Sequence, residues 1–202
     1  MVMAMARRDA KKLKLPLSRE GVQALRAGDM ALLTGEVVTG RDRLHKHLFH
    51  EKPPKEALPF NLDGMVLYHS GPIMRKSGEG WGVVAAGPTT SQRLEMYAPW
   101  VIGHYGLRAI MGKGGMGSKT LEALGKSGCV YLHTISGAAS YLADRIKAVK
   151  SGWFIEEFGM AEAVWVLEVE DFPVFVTMDA HGRSLHAEIE QASLKALREL
   201  LR

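Results

Sequence analysis

The sequence predicts a mixed α/β domain with three-layer character. The first half of the 202-residue chain contains several β-prone runs, and the second half alternates buried strands with helices at glycine-rich turns. Its composition, 47% hydrophobic and 24% charged, is that of an ordinary globular protein. A chain of this length can bury a full core within one domain.

The first half is predicted to be rich in strands. The run "KLKLPL" (12–17) alternates like a strand, and "MALLTGEVVTGRD" (30–42) contains two β-prone runs. The run "DRLHKHLFHE" predicts a helix that ends before Pro53. "MVLYHSG" (65–71) predicts a buried strand, and "SGEGWGVVAA" predicts a glycine-bearing loop that leads into the next strand.

The second half begins at "GPTTSQR" (87–93), where a Gly-Pro pair stops the preceding strand. Thr89 is a good N-cap residue, so we expect it to begin a helix that runs to about Trp100. "LRAIMGKGGMG" and "CVYLHTISG" each predict a strand followed by a helix, and the second helix is expected over "AASYLADRIKAV".

Two elements complete the predicted fold. "AEAVWVLEVEDFPVFVTMDAHG" predicts a hairpin that turns near Asp171-Phe172-Pro173. Residues 186–202 have apolar positions at helical spacing, which predicts an amphipathic C-terminal helix.

The charge distribution argues against a nucleic-acid-binding surface. The first 14 residues hold five basic residues and one acidic residue, which equals the whole net charge of +4. The excess is therefore a tail and not a basic face. We interpret residues 1–12 as a basic, flexible leader.

Location and redox chemistry are constrained by two further features. The sequence has no apolar run of about 18 residues and no apolar segment of a secretory signal near its start, so we expect a cytoplasmic location. The one cysteine, Cys129, lies in the apolar run "GCVYLH". This setting is typical of a small buried residue, and one thiol can neither form an internal disulfide nor hold an iron–sulfur cluster.

Cationic residues lie beside glycines at two predicted strand ends. "GKGGMGSKT" (112–120) departs from a phosphate-binding loop because Lys119 follows a serine and not the last glycine. The segment is either a flexible turn or a place where Lys113 meets a small anion. Arg41, in "TGRDRLHKH", is either a surface arginine paired with a nearby acid or a clamp for a carboxylate.

The remaining candidates also have two interpretations each. Thr89 caps a helix or, if its surroundings activate it, takes a proton. Arg93 is a solvated helix residue or an anion ligand. The histidines of "HKHLFH" cannot all share one helix face, so we predict exposed or capping histidines and no metal site.

Several motifs together resemble the β subunit of class I fumarate hydratase and the related L-tartrate dehydratase β subunit, both iron–sulfur hydro-lyases. The motifs are "GRDRLH", "YHSGP", "GPTTSQRLEMY", "GKGG" and "AVWVLEVEDFPVFVTMDAHG", and the resemblance covers residues 13–185. It implies a hydro-lyase β-type catalytic domain over that range, with residues 186–202 as an additional helix. The implied fold is a swivelling β/β/α domain like the mobile domain of aconitase.

The resemblance also implies chemistry and partners. It implies reversible hydration of fumarate to L-malate, with Arg41, Arg93 and Lys113 binding the substrate carboxylate and Thr89 acting as the catalytic base. His45 completes the "RDxxH" match as a supporting candidate. A 4Fe-4S cluster would be held by three cysteines of an α subunit in a hetero-oligomer, so this chain alone would bind no cluster and be inactive.

Alternatives remain open at this point. The chain could belong to an L-tartrate dehydratase or to another dehydratase of hydroxy-dicarboxylates. Residues that bind carboxylates do not distinguish substrates that differ in their number of hydroxyl groups. The chain could also be a non-catalytic anion-binding module. The turn "KGGMGSKT" replaces the "KGN" turn of many bacterial members, which leaves the loop after Lys113 unspecified.

Overall fold

A computed structural model describes residues 10–78 and 80–202. Residues 1–9 of the predicted leader lie outside the described residues, and residues 10–12 lie within them. The first strand begins at Lys11, two residues before the expected start of the domain.

Strands and short helices alternate along the described chain. The strands are β1 (Lys11–Lys14), β2 (Met30–Thr39), β3 (Val66–Tyr68), β4 (Ile73–Ser77), β5 (Gly80–Ala85), β6 (Ala109–Gly112), β7 (Val130–His133), β8 (Ile146–Trp153) and β9 (Val164–Met178). The α-helices are α1 (Arg19–Gln23), α2 (Asp42–Glu51), α3 (Ala98–Tyr105), α4 (Ser118–Ser127), α5 (Ala139–Ala143), α6 (Ile155–Phe158) and α7 (Leu185–Leu200). Single 3₁₀ turns cover Lys55–Ala57 and Ser91–Leu94.

The main sheet closes on itself. The strands β2, β3, β6 and β7 pair in parallel in that order, and β9 then pairs antiparallel with both β7 and β2. The strand β1 extends the sheet beside β2, and β8 extends it beside β9. The β4–β5 hairpin forms a separate two-stranded sheet. Because the four central strands are parallel, their carboxyl ends meet at one edge.

The predicted C-terminal hairpin is wrong, because β9 runs through the expected turn as one 15-residue strand. Asp171 has a φ of 47°, and it lies in a bulge of β9, where Glu170 and Asp171 stand opposite the single residue Thr34 of β2. The Asp171 N–H donates to Thr34 Oγ1 at 3.1 Å. Pro173 lies between the part of β9 that pairs with β8 and the part that pairs with β7. A proline is tolerated there because neither β8 nor β7 pairs with β9 at Pro173, so the strand needs no N–H donor on that edge.

Three smaller differences concern the β4–β5 hairpin, the segment after Thr89 and α5. The helix expected over "AASYLADRIKAV" ends at Ala143, and Ile146–Trp153 forms β8 because it pairs along β9. The glycine-bearing loop leads into β5 as predicted, but an unpredicted strand, β4, precedes it and pairs with β5. The helix expected from Thr89 to about Trp100 is replaced by a 3₁₀ turn followed by α3. The other predicted strands and helices are present, and the two β-prone runs of residues 30–42 join into β2.

Apolar clusters cover both faces of the parallel strands. Alternate residues enter different clusters: Val66 and Tyr68 pack with Trp165 and residues of α1 and α5, whereas Leu67 packs with residues of α2, α3 and α4. This period of two is expected for strands buried on both faces. The mixed α/β class is thus confirmed, and the swivelling motion and the likeness to aconitase stay predictions.

The far C-terminal helix is almost entirely exposed. The helix α7 begins at Leu185, with Ser184 Oγ accepting from the Ala187 N–H as its N-cap. Apolar residues along it are exposed, including Leu197 at 51% and Leu200 at 84%. Across the part of the chain that the structure describes, no helix is long and apolar enough to cross a membrane.

Gly35 of β2 gives a test of how closely this strand packs on Leu15. Gly35 has a φ of +129°, and a Cβ there would lie 2.8 Å from Leu15 Cβ and 2.9 Å from the Leu15 carbonyl oxygen. Gly28 has a φ of +104° with nothing within 4 Å of such a Cβ. We expect Gly28→Ala to cost about 1 kcal/mol from backbone strain, and Gly35→Ala roughly 1–3 kcal/mol more from the clash. Urea unfolding of both variants measures the difference, and equal losses would contradict it.

Candidate functional site

The site lies at the carboxyl edge of the parallel strands. Arg41 follows β2, His69 follows β3, Lys113 follows β6, and His133 is the last residue of β7. Open α/β sheets bind their ligands at this edge. The strand ends therefore place Arg41 and Lys113, which are far apart in the sequence, at the same edge of the sheet.

The segment Gly87–Ser91 crosses this edge and is held by its backbone. The Thr89 N–H donates to the His69 carbonyl at 2.6 Å, and the Lys113 N–H donates to the Thr89 carbonyl at 3.2 Å. The Ser91 N–H in turn donates to the Lys113 carbonyl at 2.9 Å. Thr89 and Lys113 are thus neighbours in a short, strand-like contact, and both side chains are half-buried.

The predicted capping role of Thr89 is wrong. Thr90, and not Thr89, precedes the 3₁₀ turn Ser91–Leu94, and no side-chain cap bond is made there. The next α-helix begins only at Ala98. The hydroxyl of Thr89 is therefore not committed to a helix end, because tertiary hydrogen bonds fix its backbone in an extended form.

Gly112 allows the close approach between these segments. A Cβ at this position would overlap Ser91 Oγ and would lie 3.2 Å from both His69 Cβ and the Thr89 carbonyl oxygen. Any larger residue would push the Thr89 segment away from β6. The glycine before Lys113 therefore sets the distance between the lysine and the threonine.

The two arginines line one surface cavity of about 370 Å³. Arg41 Nε lies 3.3 Å from Glu162 Oε1, and the Arg93 guanidinium donates to Asp42 Oδ2 at 2.9 Å. Glu162 also accepts from the Arg43 N–H at 3.0 Å, at the start of α2. Both arginines therefore lie against carboxylates of the chain itself. The Arg93–Asp42 pair is open to solvent, whereas the Arg41–Glu162 pair is mostly buried and Arg41 Nε makes no hydrogen bond among the described residues.

Lys113 differs from the arginines because it is unengaged. Within residues 10–78 and 80–202, its ammonium group makes no ion pair and no side-chain hydrogen bond. The turn after it places Gly114 and Gly115 at positive φ, which a glycine adopts without strain. The lysine is therefore a cation without an ion pair among the described residues, and its backbone bridges to Thr90, the neighbour of Thr89.

His45 lies behind the site and not in it. Its ring is fully buried, contrary to the prediction that the histidines of this helix are exposed or capping. Its Nδ1 lies 2.9 Å from the Arg41 carbonyl oxygen. Burial lowers the pKa of His45 to about 4, against smaller opposing effects of that hydrogen bond and of Asp42. His47 is half-buried and His50 exposed, and the described residues contain no cluster of three or more metal-binding side chains.

A buried polar cluster beneath Thr89 was not predicted. His69 Nδ1 lies 2.9 Å from Ser91 Oγ, and the Tyr131 hydroxyl donates to the same oxygen at 2.9 Å. The Gly115 N–H donates to the Tyr131 hydroxyl at 3.3 Å. Burial lowers the pKa of His69 well below its ordinary value and raises that of Tyr131. Only the position of His69, directly after a buried strand, marks it in the sequence.

Glu95 is a second unpredicted residue of the site. Its carboxylate accepts from the Gly117 N–H at 2.7 Å, from the Thr120 N–H at 3.1 Å and from the Thr120 hydroxyl at 2.7 Å. These groups belong to the first turn of α4, so Glu95 caps that helix from a different segment. The cap ties the loop that carries Arg93 to the loop that follows Lys113.

Comparison with known proteins assigns the chain to a family. Residues 2–189 match the family model described as "Fumarase C-terminus". The chain belongs to this family. The match covers the whole carboxyl edge, including Arg41, Thr89, Arg93 and Lys113.

Relatives of this family member carry two kinds of name. The chain is 48% identical to a "Putative fumarate hydratase class I" of Geobacillus stearothermophilus over 92% of its own length, but it spans only 35% of that protein. It is 39% identical to a "Putative L(+)-tartrate dehydratase subunit beta" of Methanocaldococcus jannaschii, covering 95% of that protein. It is 38% identical to the "L(+)-tartrate dehydratase subunit beta" of Escherichia coli K12, covering 87%. The recognition of this β-type family from the sequence is confirmed.

The buried histidines predict a loss of stability in acid. Because the folded pKa of His45 lies near 4 and that of an unfolded histidine near 6.5, the unfolded chain binds the proton first as the pH falls. His45 should therefore cost about 3 kcal/mol of unfolding free energy between pH 6.5 and pH 4, with His69 acting in the same direction. Urea unfolding across this range measures the slope. The slope should flatten in His45→Gln and stay unchanged in His50→Gln, whose side chain is exposed; equal slopes in both variants would contradict the assignment.

Proposed function

We propose that this chain is the β-type subunit of a hydro-lyase that reversibly hydrates fumarate to L-malate. The observation that carries the proposal is that Arg41 and Lys113 both follow parallel strands at the carboxyl edge, where the Thr89 backbone bonds to Lys113 and Arg41 shares a cavity with Arg93. The names of the relatives support it, because each denotes a hydratase or dehydratase of a small dicarboxylate.

The charges suit a dicarboxylate substrate. Guanidinium groups bind carboxylates through two parallel hydrogen bonds, so Arg41 and Arg93 are proposed to hold one end of the substrate. Lys113 is proposed to bind as a point charge and to stabilise the negative charge that builds up as a C–H proton leaves. Each of these groups lies on a different loop, so a bound substrate would join the three loops.

Thr89 is proposed as the base that removes this proton. A threonine hydroxyl is a weak base and needs an environment that favours its ionised form. The neighbouring Lys113 supplies positive charge without being neutralised by a protein carboxylate among the described residues. The extended backbone leaves the hydroxyl free of a capping role, which supports the same assignment.

Glu162 and Asp42 keep the arginines ready for a ligand. Both ion pairs are partly exposed, with side-chain exposures of 24% and 21% for Arg41 and Glu162 and of 50% and 34% for Arg93 and Asp42. The half-exposed Arg93–Asp42 pair contributes only about 0–1 kcal/mol, so a substrate carboxylate can displace it at little cost. Arg41 Nε is buried and makes no hydrogen bond among the described residues, so a substrate carboxylate would supply the acceptor that it lacks.

The iron–sulfur cluster implied by the family resemblance does not fit this chain. The one cysteine, Cys129, is fully buried in an apolar strand, and burial raises its thiol pKa to about 12. We therefore assign the cluster to an α-type partner, where its iron would act as a Lewis acid on the hydroxyl that leaves. Two relatives are named as subunits, which supports a two-chain enzyme.

The second candidate activity is dehydration of L-tartrate. One observation favours it: the two relatives whose length this chain covers by 95% and 87% are both named as L(+)-tartrate dehydratase β subunits. Arginine and lysine side chains recognise the carboxylates common to both substrates. The choice between them therefore depends on residues that contact the substrate hydroxyls.

A substrate panel tests the function. The chain, co-expressed with a cluster-bearing α-type subunit from the same genome, should hydrate fumarate and dehydrate L-malate faster than it dehydrates L-tartrate. The chain purified alone should be inactive with each substrate, because half of the site is missing. Turnover by the chain alone would refute the proposal, and faster turnover of tartrate would establish the second candidate.

Substitution of the neighbouring threonines tests the base. In the reconstituted enzyme, Thr89→Ala should lower kcat by about 10²–10⁴-fold, the usual contribution of a general base, with little change in KM. Thr90→Ala is the matched control, because its side chain is exposed and adjacent, and it should keep near-normal turnover. Similar kcat values for both variants would exclude Thr89 as the base.

A further inference from the structure

The surface cavity that contains both arginines has two further cations. The cavity, of about 370 Å³, is lined by Arg41, Asp42, Arg43, Lys46, Arg93 and Glu162. Four of these side chains are cationic and two are acidic, which leaves a local net charge of +2 at neutral pH. Outside its first 14 residues the chain as a whole has a net charge of zero, so this positive excess is a local property of the cavity.

Arg43 and Lys46 carry charges that no carboxylate of the described chain neutralises. They lie three residues apart on α2, so their side chains share one side of this helix. Both residues are exposed, and within residues 10–78 and 80–202 neither side chain makes an ion pair or a hydrogen bond. Their charged groups are therefore available to a ligand.

The two carboxylates of the cavity are engaged by other donors. Asp42 is a natural partner for Lys46, because residues four apart on a helix are neighbours. Its Oδ2 instead accepts from the Arg93 guanidinium at 2.9 Å. The Glu162 carboxylate accepts from the Arg43 N–H at 3.0 Å and forms the second ion pair of the cavity. An anion from outside the chain would therefore find Lys46 and the Arg43 side chain unoccupied.

The start of α2 adds to the positive potential of the cavity. Asp42 and Arg43 form the first turn of this ten-residue helix, and its N-cap, Arg41, makes no side-chain cap bond. The N-terminal end of an α-helix carries a partial positive charge from its aligned peptide dipoles. The helix end and the excess of cations act in the same direction, and together they favour a small anion with more than one negative charge.

We propose that Arg43 and Lys46 are further substrate-binding residues, which form the outer part of this cavity and capture a small dicarboxylate before Arg41 and Arg93 bind it. The two negative charges of a dicarboxylate match the uncompensated charge of the cavity. A cleft lined by cations raises the local concentration of an anionic substrate and its association rate. The identity of the ligand rests on the proposed function, whereas the binding of a dianion at α2 does not.

Titration of the purified chain with succinate tests this binding site without the reaction. Succinate has both carboxylates but neither the double bond nor the hydroxyl group, so it cannot be turned over. In about 0.01 M salt, where the Debye length is about 30 Å, the backbone amide NMR signals of α2 should shift with succinate and shift less with acetate. Lys46→Gln and Arg43→Gln should each weaken succinate binding about 2–5-fold, the range of one exposed ion pair.

Lys52→Gln is the matched control, because it removes the same charge at the other end of α2. Lys52 is the C-cap of this helix, its ammonium group lies 5.6 Å from the centroid of the Trp100 ring, and it does not line the cavity. This substitution should leave succinate binding unchanged. Absence of succinate binding, or an equal weakening by all three substitutions, would overturn the proposal.

The enzyme reconstituted with its α-type subunit separates this inference from the proposed function. With fumarate, Lys46→Gln should raise KM more than it lowers kcat, and the effect should shrink between about 0.01 M and about 0.15 M salt, as the Debye length falls to about 8 Å. Equal KM values for Lys46→Gln and Lys52→Gln at low salt would overturn the inference even if fumarate is hydrated. Succinate binding at α2 without any hydration of fumarate would overturn only the proposed function.

Discussion

The pairing of β9 with three other strands is the constraint on which the fold depends. One edge of β9 runs along β2 for most of its length, and the other edge serves β8 first and β7 afterwards. Because β2 and β7 are also the two ends of the parallel series β2, β3, β6 and β7, this strand turns an open sheet into a closed ring. Closure buries Trp165 and Phe172 completely and leaves the parallel strands in a fixed order. The order of these strands fixes the positions of Arg41 and Lys113 along the carboxyl edge.

Backbone contacts and side-chain contacts do different work at this edge. The backbone of Gly87–Ser91 joins the ends of β3 and β6, which places Thr89 beside Lys113. Carboxylates make the side-chain contacts. Glu162 and Asp42 form ion pairs with the arginines, and Glu95 accepts hydrogen bonds at the start of α4. The lysine is left without an ion pair among the described residues. This separation of roles lets the loops be rigid while the cations remain available.

Much of this could be predicted from the sequence, and what was missed has a common cause. Helices α2, α4 and α7 and the buried strands β3, β6 and β7 follow from local periodicity and glycine turns. The continuity of β9 could not be predicted, because Asp171–Pro173 has the composition of a turn, whereas its pairing with β2 continues on both sides of a bulge in β9. Likewise Thr89 has the residue type of a cap, but distant carbonyl and amide groups fix its backbone. His69, Ser91 and Tyr131 are separated by 22 and 40 residues, so no local pattern links them. Motifs mark Arg41, Thr89, Arg93 and Lys113 in the sequence, and Arg41 and Lys113 reach one edge because β2 and β6 belong to the same parallel series.

The Glu95 cap also bears on which anions this protein can accept. A glycine-rich turn that enters a helix is where many proteins seat phosphate groups on free N–H donors. Here the donors of Gly117 and Thr120 are already saturated by a resident carboxylate, whose negative charge would repel a second anion. The N–H groups of Gly117 and Thr120 are therefore not available to a bound anion, and a ligand that approaches the start of α4 meets the Glu95 carboxylate in their place.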